Sequence, residues 1–400
     1  MIRFLSQYAR QILRAFRSQA HLPLYELDQR HLRNPATHIR PFDPARGFTG
    51  DPCCPTEPTP PPHLRFTGWK LAHSVKKADS LRRLPFDVVA PFGLLMEQLP
   101  TFDWRGDDLR LFDGLARAYT DFTETSLAGR VGQGVMLLAM EARGFVFVGN
   151  YPRSHGKRGP DFVFQHNTSA SRRALAESKG SFVQVEGTPN IKAALRDGLD
   201  QLDAADHQRV SDSFAFGTFL RERDDPHPEP SLVAWTRAGY DGKPTLDEPD
   251  SDSILRGNYA AWLHAMGLFQ AASDLSKKVR PERAEKVAFH LVDHRGEEYA
   301  VRPQAIVPSD ELDWLVPFLL PRRGGEHVVV AGLLRGVLHR IREAMQDPSS
   351  TLGVELPSDT GQSEAQSDGG FKGSVLADGS LLGVMPAEAL SEARLDGVAL

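Results

Sequence analysis

The chain has 400 residues, of which 40% are hydrophobic and 25% charged, a composition typical of a globular protein with a substantial core. The formal net charge of −5 argues against a protein that coats nucleic acid over its whole surface, although a local basic groove is compatible with it. The two adjacent cysteines, Cys53 and Cys54, exclude a disulfide framework and a zinc knuckle, and no apolar run approaches the ~20 residues that cross a bilayer. These totals predict one large domain or two smaller ones, no membrane partner, and a reducing compartment, the cytoplasm by default.

Residues 1–65 are predicted to form an amphipathic helix followed by a proline-rich linker. One side of the helix is apolar and consists of Leu5, Tyr8, Ile12 and Phe16, and arginines cover most of the remainder. This arginine-rich, acid-poor composition leaves three roles open: a docking helix, contact with nucleic acid or membrane, and an organelle transit peptide. The prolines of DPCCPTEPTPPPH indicate a linker or an extended wrap, because they cannot continue a helix or a central strand.

The next clear element is a buried helix from about Thr123 to Ala142. Its apolar stripe consists of Leu127, Val131, Val135 and Leu138, and further methionines and leucines widen it. A helix that is apolar on most sides is expected in the middle of a fold. Gln133 is then a polar side chain on a buried element and needs a partner there. The segment FVFVGNY that follows Gly144 predicts a buried strand.

The following segment predicts a hairpin that gathers charged side chains. In RSHGKRGPDFVFQ, Pro160 restricts the chain just before Asp161, and DFVF continues as a short strand. After the turn-rich HNTSAS, the stretch RRALAESKGSFVQV predicts a second strand, on which Glu177 and Lys179 project from one face. Ser178 points the other way, but its backbone carbonyl stays near that face. Antiparallel pairing would bring Asp161 beside Glu177 and Lys179.

Two carboxylates and one ammonium are the side chains that metal-dependent phosphodiester hydrolysis requires. Carboxylate oxygens hold a hard divalent cation and leave coordination positions for water and phosphate. A nearby lysine can orient or deprotonate the attacking water and offset the charge that builds up on phosphorus. Taken separately, E-x-K occurs on many exposed strands and Pro-Asp opens many turns, so the combination within this order of elements carries the hypothesis.

With GPDFVF, a hairpin-sized gap and ESK in this order, the stretch from about 122 to 205 closely resembles the PD-(D/E)xK nuclease superfamily. The resemblance implies an α/β, restriction-endonuclease-like fold: a mixed sheet flanked by helices, here with N- and C-terminal additions. It implies Mg²⁺ or Mn²⁺ as cofactor, with Asp161 and Glu177 as metal ligands and the Ser178 carbonyl as a further ligand. Lys179 is similar to the catalytic lysine of the family.

The chain departs from the family pattern on the preceding helix. Many members have a glutamate there that helps to hold the metal, whereas this sequence presents Gln133. Gln133 can contact metal-bound water or substrate but has no charge, and Glu124 and Glu141 are fallback candidates ranked below it. Some members place a glutamine on the helix after ESK at the edge of the active site, which makes Gln201 a secondary candidate; the other interpretation is a plain surface glutamine.

Basic residues around the predicted site favour a polyanionic substrate, and DNA is the expected one. The candidate substrate-binding residues are Lys157, Arg158, Arg172, Arg173 and Gln201. The alternative interpretation of the basic residues is a solubilising loop.

The predicted domain organisation places a nuclease-like domain with accessory elements at 66–346, with its core at about 122–220. Strand-like and helical segments continue from about 211 to 346. The stretch 347–400, rich in Ser, Gly, Asp and Gln, is predicted to be largely disordered, apart from an apolar patch near Val375 to Met385 that can dock back.

These patterns predict a magnesium-dependent endonuclease that hydrolyses phosphodiester bonds, with restriction or anti-phage defence as an analogy at the level of the superfamily. A regulatory protein partner or a homodimer is compatible with it. Two alternatives stay open: a catalytically inactive nuclease-like subunit that binds nucleic acid or regulates, and a scaffold whose ESK lies on an ordinary surface strand.

Overall fold

The computed structural model describes residues 19–27, 63–79, 102–104, 108–115, 121–152, 159–183, 187, 189–203, 210, 212–226, 231–237, 251–281, 286–304, 327–353 and 370–400. The predicted N-terminal helix, Glu124 as a side chain, and the tail segment 354–369 lie outside the described residues. None of the described helices is long and apolar enough to span a membrane.

The described elements, in chain order, are β1 (Gln19–Leu27), β2 (His63–Thr67), α1 (Gly68–Asp79), β3 (Phe102–Asp103), β4 (Arg110–Leu111), α2 (Asp121–Glu141), β5 (Phe145–Asn150), β6 (Phe162–His166), β7 (Ser169–Phe182), α3 (Ile191–Asp203), β8 (Asp212–Leu220), β9 (Leu232–Arg237), α4 (Ser251–Ala265), α5 (Phe269–Lys277), β10 (Lys286–His294), β11 (Glu297–Gln304), β12 (His327–Leu334), α6 (Arg335–Gln346), β13 (Lys372–Val375), β14 (Ser380–Pro386), α7 (Ala387–Glu392) and β15 (Leu395–Ala399). The chain is a mixed α/β protein, as expected.

The described residues divide into two compact units. The central unit lies within 18–66 and 98–249, and the C-terminal unit lies within 67–97 and 250–400. Residues after 250 pack with the C-terminal segment and with α1, so the boundary between the units falls inside the range 66–346 over which one domain was expected.

The central unit is built on a seven-stranded mixed sheet with the order β2-β1-β9-β8-β7-β6-β5. Strands β5, β6 and β7 form an antiparallel meander, and β8 then pairs with β7 in parallel. A parallel partner requires a crossover connection, and α3 lies in that connection. As a result β7 is a central strand, with β6 on one side and β8 on the other.

Helices α2 and α3 pack on opposite faces of β7. A Cβ atom built on Gly132 of α2 would lie 3.2 Å from the Ser178 Oγ, whereas one built on Gly198 of α3 would lie 3.7 Å from the Glu177 Cγ. At Gly180 the backbones of strand and helix approach so closely that a Cβ would overlap the Ala128 carbonyl oxygen of α2. The face of β7 that carries Glu177 is therefore the face covered by α3.

The apolar stripe predicted for α2 is confirmed, and α3 has a buried stripe as well. In α2 the side chains of Val131, Val135 and Leu138 are buried, and Leu127 lies at the margin. In α3 the buried residues are Ile191, Leu195, Gly198, Leu199 and Leu202. The Asn190 side chain accepts a hydrogen bond from the Ala193 backbone N–H at 3.1 Å, which caps the N-terminus of α3.

The C-terminal unit contains a six-stranded antiparallel sheet with the order β13-β14-β12-β11-β10-β15. Residues 370–400 supply three of its strands and α7, so the prediction of a largely disordered tail was wrong there. The physical reason is that β14 is an apolar run that is almost completely buried against β12 and β13. The Ser/Gly/Asp-rich composition behind that prediction belongs mainly to 354–369.

A buried ion pair connects α1 to the C-terminal segment within this unit. The Lys77 Nζ lies 2.7 Å from the Asp378 Oδ2, and both side chains are at most 1% exposed. The same ammonium lies 4.7 Å from the centre of the Trp262 ring, and the Asn258 amide donates to Asp378 at 3.3 Å. Each charge therefore has a second favourable contact besides its ion-pair partner, and these contacts offset the cost of burying the pair.

A neutral histidine extends this network. The Ser380 hydroxyl donates its one hydrogen to the Asp378 carboxylate at 2.6 Å. The Ser380 oxygen therefore accepts from the His73 Nε2–H, which lies 3.1 Å away. The His73 Nδ1 then accepts from the Ser374 hydroxyl at 3.2 Å. The ring also stacks on Trp262, with 5.0 Å between centroids. Burial lowers the pKa of His73 to about 3, against the opposing charge of Asp378.

Candidate active site

Asp161 lies directly before β6 and contacts the main chain of β7. Its backbone N–H donates to the Ala176 carbonyl at 3.1 Å, and its carboxylate Oδ2 accepts from the Ser178 N–H at 3.1 Å. Phe162, the next residue, pairs with Ala176 in the ladder. The hairpin thus places the Asp161 carboxylate beside the peptide that joins Glu177 to Ser178.

Glu177 and Lys179 project from the face of β7 that α3 covers. The Glu177 side chain is only 3% exposed, and its Oε1 lies 3.0 Å from the Lys179 Nζ. The same ammonium lies 2.7 Å from the Oδ2 of Asp197 on α3, which is 48% exposed. A Cβ on Gly198 would lie 2.9 Å from the Ala215 Cβ, so a glycine here permits the close approach of α3. The Lys179 ammonium is consequently held between a buried acid and a half-exposed one.

Gln201 of α3 lies against the same two residues. With its amide oriented so that nitrogen faces the carboxylate, it donates to the Glu177 Oε1 at 2.8 Å and accepts from the Lys179 Nζ. The reverse orientation would turn the amide oxygen toward the carboxylate and the amide NH₂ toward the ammonium, so the first orientation satisfies both groups. Gln201 therefore helps to fix the relative position of Glu177 and Lys179.

The electrostatics of the cluster favour a charged lysine. Partial burial opposes the charge on Lys179, but the hydrogen bond to Asp197 and the negative charge of Glu177 outweigh it and raise the pKa of Lys179 above its ordinary value. A lysine in this state acts as a positive charge and hydrogen-bond donor at neutral pH.

Other predicted site residues lie elsewhere. Helix α2 packs on the face of β7 opposite Glu177 and Lys179, and within the described ranges no hydrogen bond or ion pair joins Gln133 to either of them. The role of Gln133 in catalysis stays a prediction. Arg173 pairs with Gln165 on β6, six residues before Lys179, roughly 20 Å away along the strand.

The side chains of the remaining basic residues predicted to bind substrate fall outside the part of the chain that the structure describes. Lys157 and Arg158 lie outside the described residues, and so does the side chain of Arg172. Their contribution to substrate binding stays a prediction.

Asp197 is the residue of the cluster that the sequence analysis missed. It stands four residues before Gln201, so the two project from neighbouring positions beside the apolar stripe of α3. This spacing was the available signal, but it is common on solvated helix faces and does not distinguish a site from a surface.

The donor set that the hairpin offers is composed of hard oxygens. Among the described residues, no group of three or more His, Cys, Asp or Glu side chains is placed to hold a metal ion. The oxygen groups near β7 are the two carboxylates of Asp161 and Glu177, together with the carbonyl of Ser178. This chemistry fits magnesium or manganese, which accept few protein ligands and complete their shell with water and phosphate oxygens.

Comparison of the chain with models of protein families, with curated proteins and with solved structures gives no match. What this site can do therefore follows from its own geometry and chemistry.

Proposed function

We propose that this chain is a metal-dependent nuclease that hydrolyses phosphodiester bonds, with DNA as the favoured substrate. The observation that carries the proposal is the cluster on β6 and β7, in which Asp161 lies beside the Glu177–Ser178 peptide and Lys179 lies 3.0 Å from Glu177. Burial of a carboxylate costs free energy, so the carboxylates of an ordinary surface strand are expected to stay in water, whereas Asp161 and Glu177 are buried.

The order of elements around the cluster gives further support. A buried helix, three antiparallel strands, a helix and a parallel strand follow one another from α2 to β8. This order of helices and strands is the one implied by the resemblance to PD-(D/E)xK nucleases, so we extend the proposal to a restriction-endonuclease-like core.

In this proposal each side chain has a defined task. Asp161, Glu177 and the Ser178 carbonyl would hold the divalent ion, which when bound polarises the phosphoryl oxygen and lowers the pKa of the attacking water. Lys179 donates hydrogen bonds toward the reacting phosphate and offsets the negative charge that develops there. Gln201 holds the side chains of Glu177 and Lys179 in a fixed relative position through its two hydrogen bonds.

The direct test is cleavage of plasmid DNA, single-stranded DNA and RNA by the full chain with magnesium or manganese. Lys179→Met and Asp161→Asn are expected to lower the cleavage rate by about 10²-fold or more, since each removes a group that acts on the transition state. The matched control is Lys286→Met, which removes an exposed lysine from a strand of the C-terminal unit and should cut like the wild type. Equal cleavage by wild type and Lys179→Met would contradict the proposal.

A second candidate function is a nuclease-like subunit that binds nucleic acid without cutting it. The uncharged Gln133 and the absence of a third metal-binding side chain near the described carboxylates favour it. In that case the wild type should bind DNA with no cleavage under either metal. If the two carboxylates hold an ion, magnesium should still raise the melting temperature of the wild type, and not that of Asp161→Asn.

A further inference from the structure

We infer that Asp197 is a positioning residue, which holds the Lys179 ammonium in place and so leaves the Glu177 carboxylate available to a divalent cation. The inference rests on the proposed function and deepens it, because it assigns a task to a helix residue outside the hairpin motif.

The geometry places Lys179 between two carboxylates on different elements. Its Nζ lies 2.7 Å from Asp197 on α3 and 3.0 Å from Glu177 on β7. The close approach of Gly198 on α3 to Ala215 on β8 fixes the position of the helix. A Cβ atom built on Gly198 would lie 2.9 Å from the Ala215 Cβ. The position of the ammonium is therefore set by the packing of α3 as well as by its own strand.

The Asp197 carboxylate matters because the Lys179 ammonium and a divalent cation would compete for Glu177. A cation and an ammonium both bind the same carboxylate, and an ammonium with no second carboxylate nearby would stay on Glu177 and oppose the cation. With Asp197 present, Lys179 keeps a charged partner when Glu177 turns to the ion. The ammonium also stays on the side of the site from which it can reach a phosphate.

The half-exposed position of Asp197 fits this task better than the task of a metal ligand. Its carboxylate is 48% exposed, whereas that of Glu177 is 3% exposed. Gln201 stands one turn further along α3, and its amide contacts Glu177 and Lys179 in the orientation described above. The two residues form a short polar row on α3 that faces Lys179.

The test replaces Asp197 by asparagine, which preserves the shape but removes the charge, and uses Asp200→Asn as the matched control on an exposed position of the same helix. Two quantities are measured: the magnesium concentration at half-maximal thermal stabilisation, and the kcat and KM for DNA cleavage. Asp197→Asn is expected to raise the magnesium midpoint by about three- to fivefold. It should lower kcat by at least about tenfold with little change in KM, because the ammonium is misplaced in the transition state. Asp200→Asn should change neither quantity.

A double-mutant cycle separates positioning from a direct role. In the Lys179→Met background, Asp197→Asn should have no further effect on the magnesium midpoint, since the ammonium through which Asp197 acts on Glu177 is absent. Effects that add would overturn the inference and identify Asp197 as a group that acts by itself. Asp197→Glu should recover most of the wild-type midpoint.

The magnesium midpoint and the cleavage rate distinguish failure of the positioning role of Asp197 from failure of the proposed nuclease function. A wild type that responds to magnesium but does not cut refutes the nuclease, while the midpoint of Asp197→Asn still decides the positioning role. A wild type that cuts, with an unchanged Asp197→Asn variant, refutes the inference alone. A wild type with neither response refutes both.

Discussion

His73 should make the C-terminal unit sensitive to mild acid. Its ring is fully buried among Ser374, Ser380 and Trp262, and burial lowers its pKa from about 6.5 to about 3. The unfolded chain therefore binds a proton more readily than the folded chain between these values. The stabilisation is complete above about pH 6.5 and is lost progressively as the pH falls toward 3.

The magnitude follows from the size of the pKa difference. Each pH unit below the unfolded pKa costs about 1.4 kcal/mol, so the loss from this one residue between pH 7 and pH 5 is about 2 kcal/mol. Other titrating groups contribute to the pH dependence of any protein, and a His73→Gln variant removes the histidine while leaving most of them in place. The wild type should therefore lose about 2 kcal/mol more than His73→Gln over this interval.

The assay is urea unfolding at pH 7 and pH 5, monitored by tryptophan fluorescence, for both proteins. The C2 proton resonances of the histidine rings give an independent measurement, in which His73 should stay neutral at pH 5. The reasoning fails if both proteins lose equal stability, or if the His73 resonance titrates near pH 6.5 in the folded protein.

Three further predictions concern packing, charge and catalysis. Gly180→Val should destabilise the central unit by about 3 kcal/mol or more in urea unfolding, because its side chain would displace the α2 backbone, whereas Gly257→Ala, in open space on α4, should be neutral or stabilising. Lys77→Met should cost about 3–5 kcal/mol by leaving Asp378 charged and buried, and adding Asp378→Asn should recover part of that loss in the same assay. Gln133→Ala should reduce DNA cleavage by less than about tenfold, since α2 lies on the face of β7 away from Lys179; a loss as large as that of Lys179→Met would show that Gln133 reaches the reacting groups.

Local patterns in the chain were sufficient for the central helices and for the hairpin. The apolar stripes of α2 and α3 follow from helical periodicity, and period-two alternation put Glu177 and Lys179 on one face of β7. These are short-range relations, so they hold whatever the remainder of the chain does. The same reasoning failed for residues 370–400, because their strands owe their stability to β12 and β10, which lie elsewhere in the sequence.

The sequence by itself determined the carboxylates of Asp161 and Glu177, the ammonium two residues from Glu177, and the helices that precede and follow the hairpin. Only the tertiary structure decided which acids Lys179 meets: α3 crosses back over β7 between two parallel strands and places Asp197 2.7 Å from the ammonium. It also decided that α1 belongs with the C-terminal strands, through the ion pair between Lys77 and Asp378. The physical reason is common to both cases: contacts between residues distant in the chain depend on how helices and sheets pack, and side-chain periodicity along one element does not encode that packing.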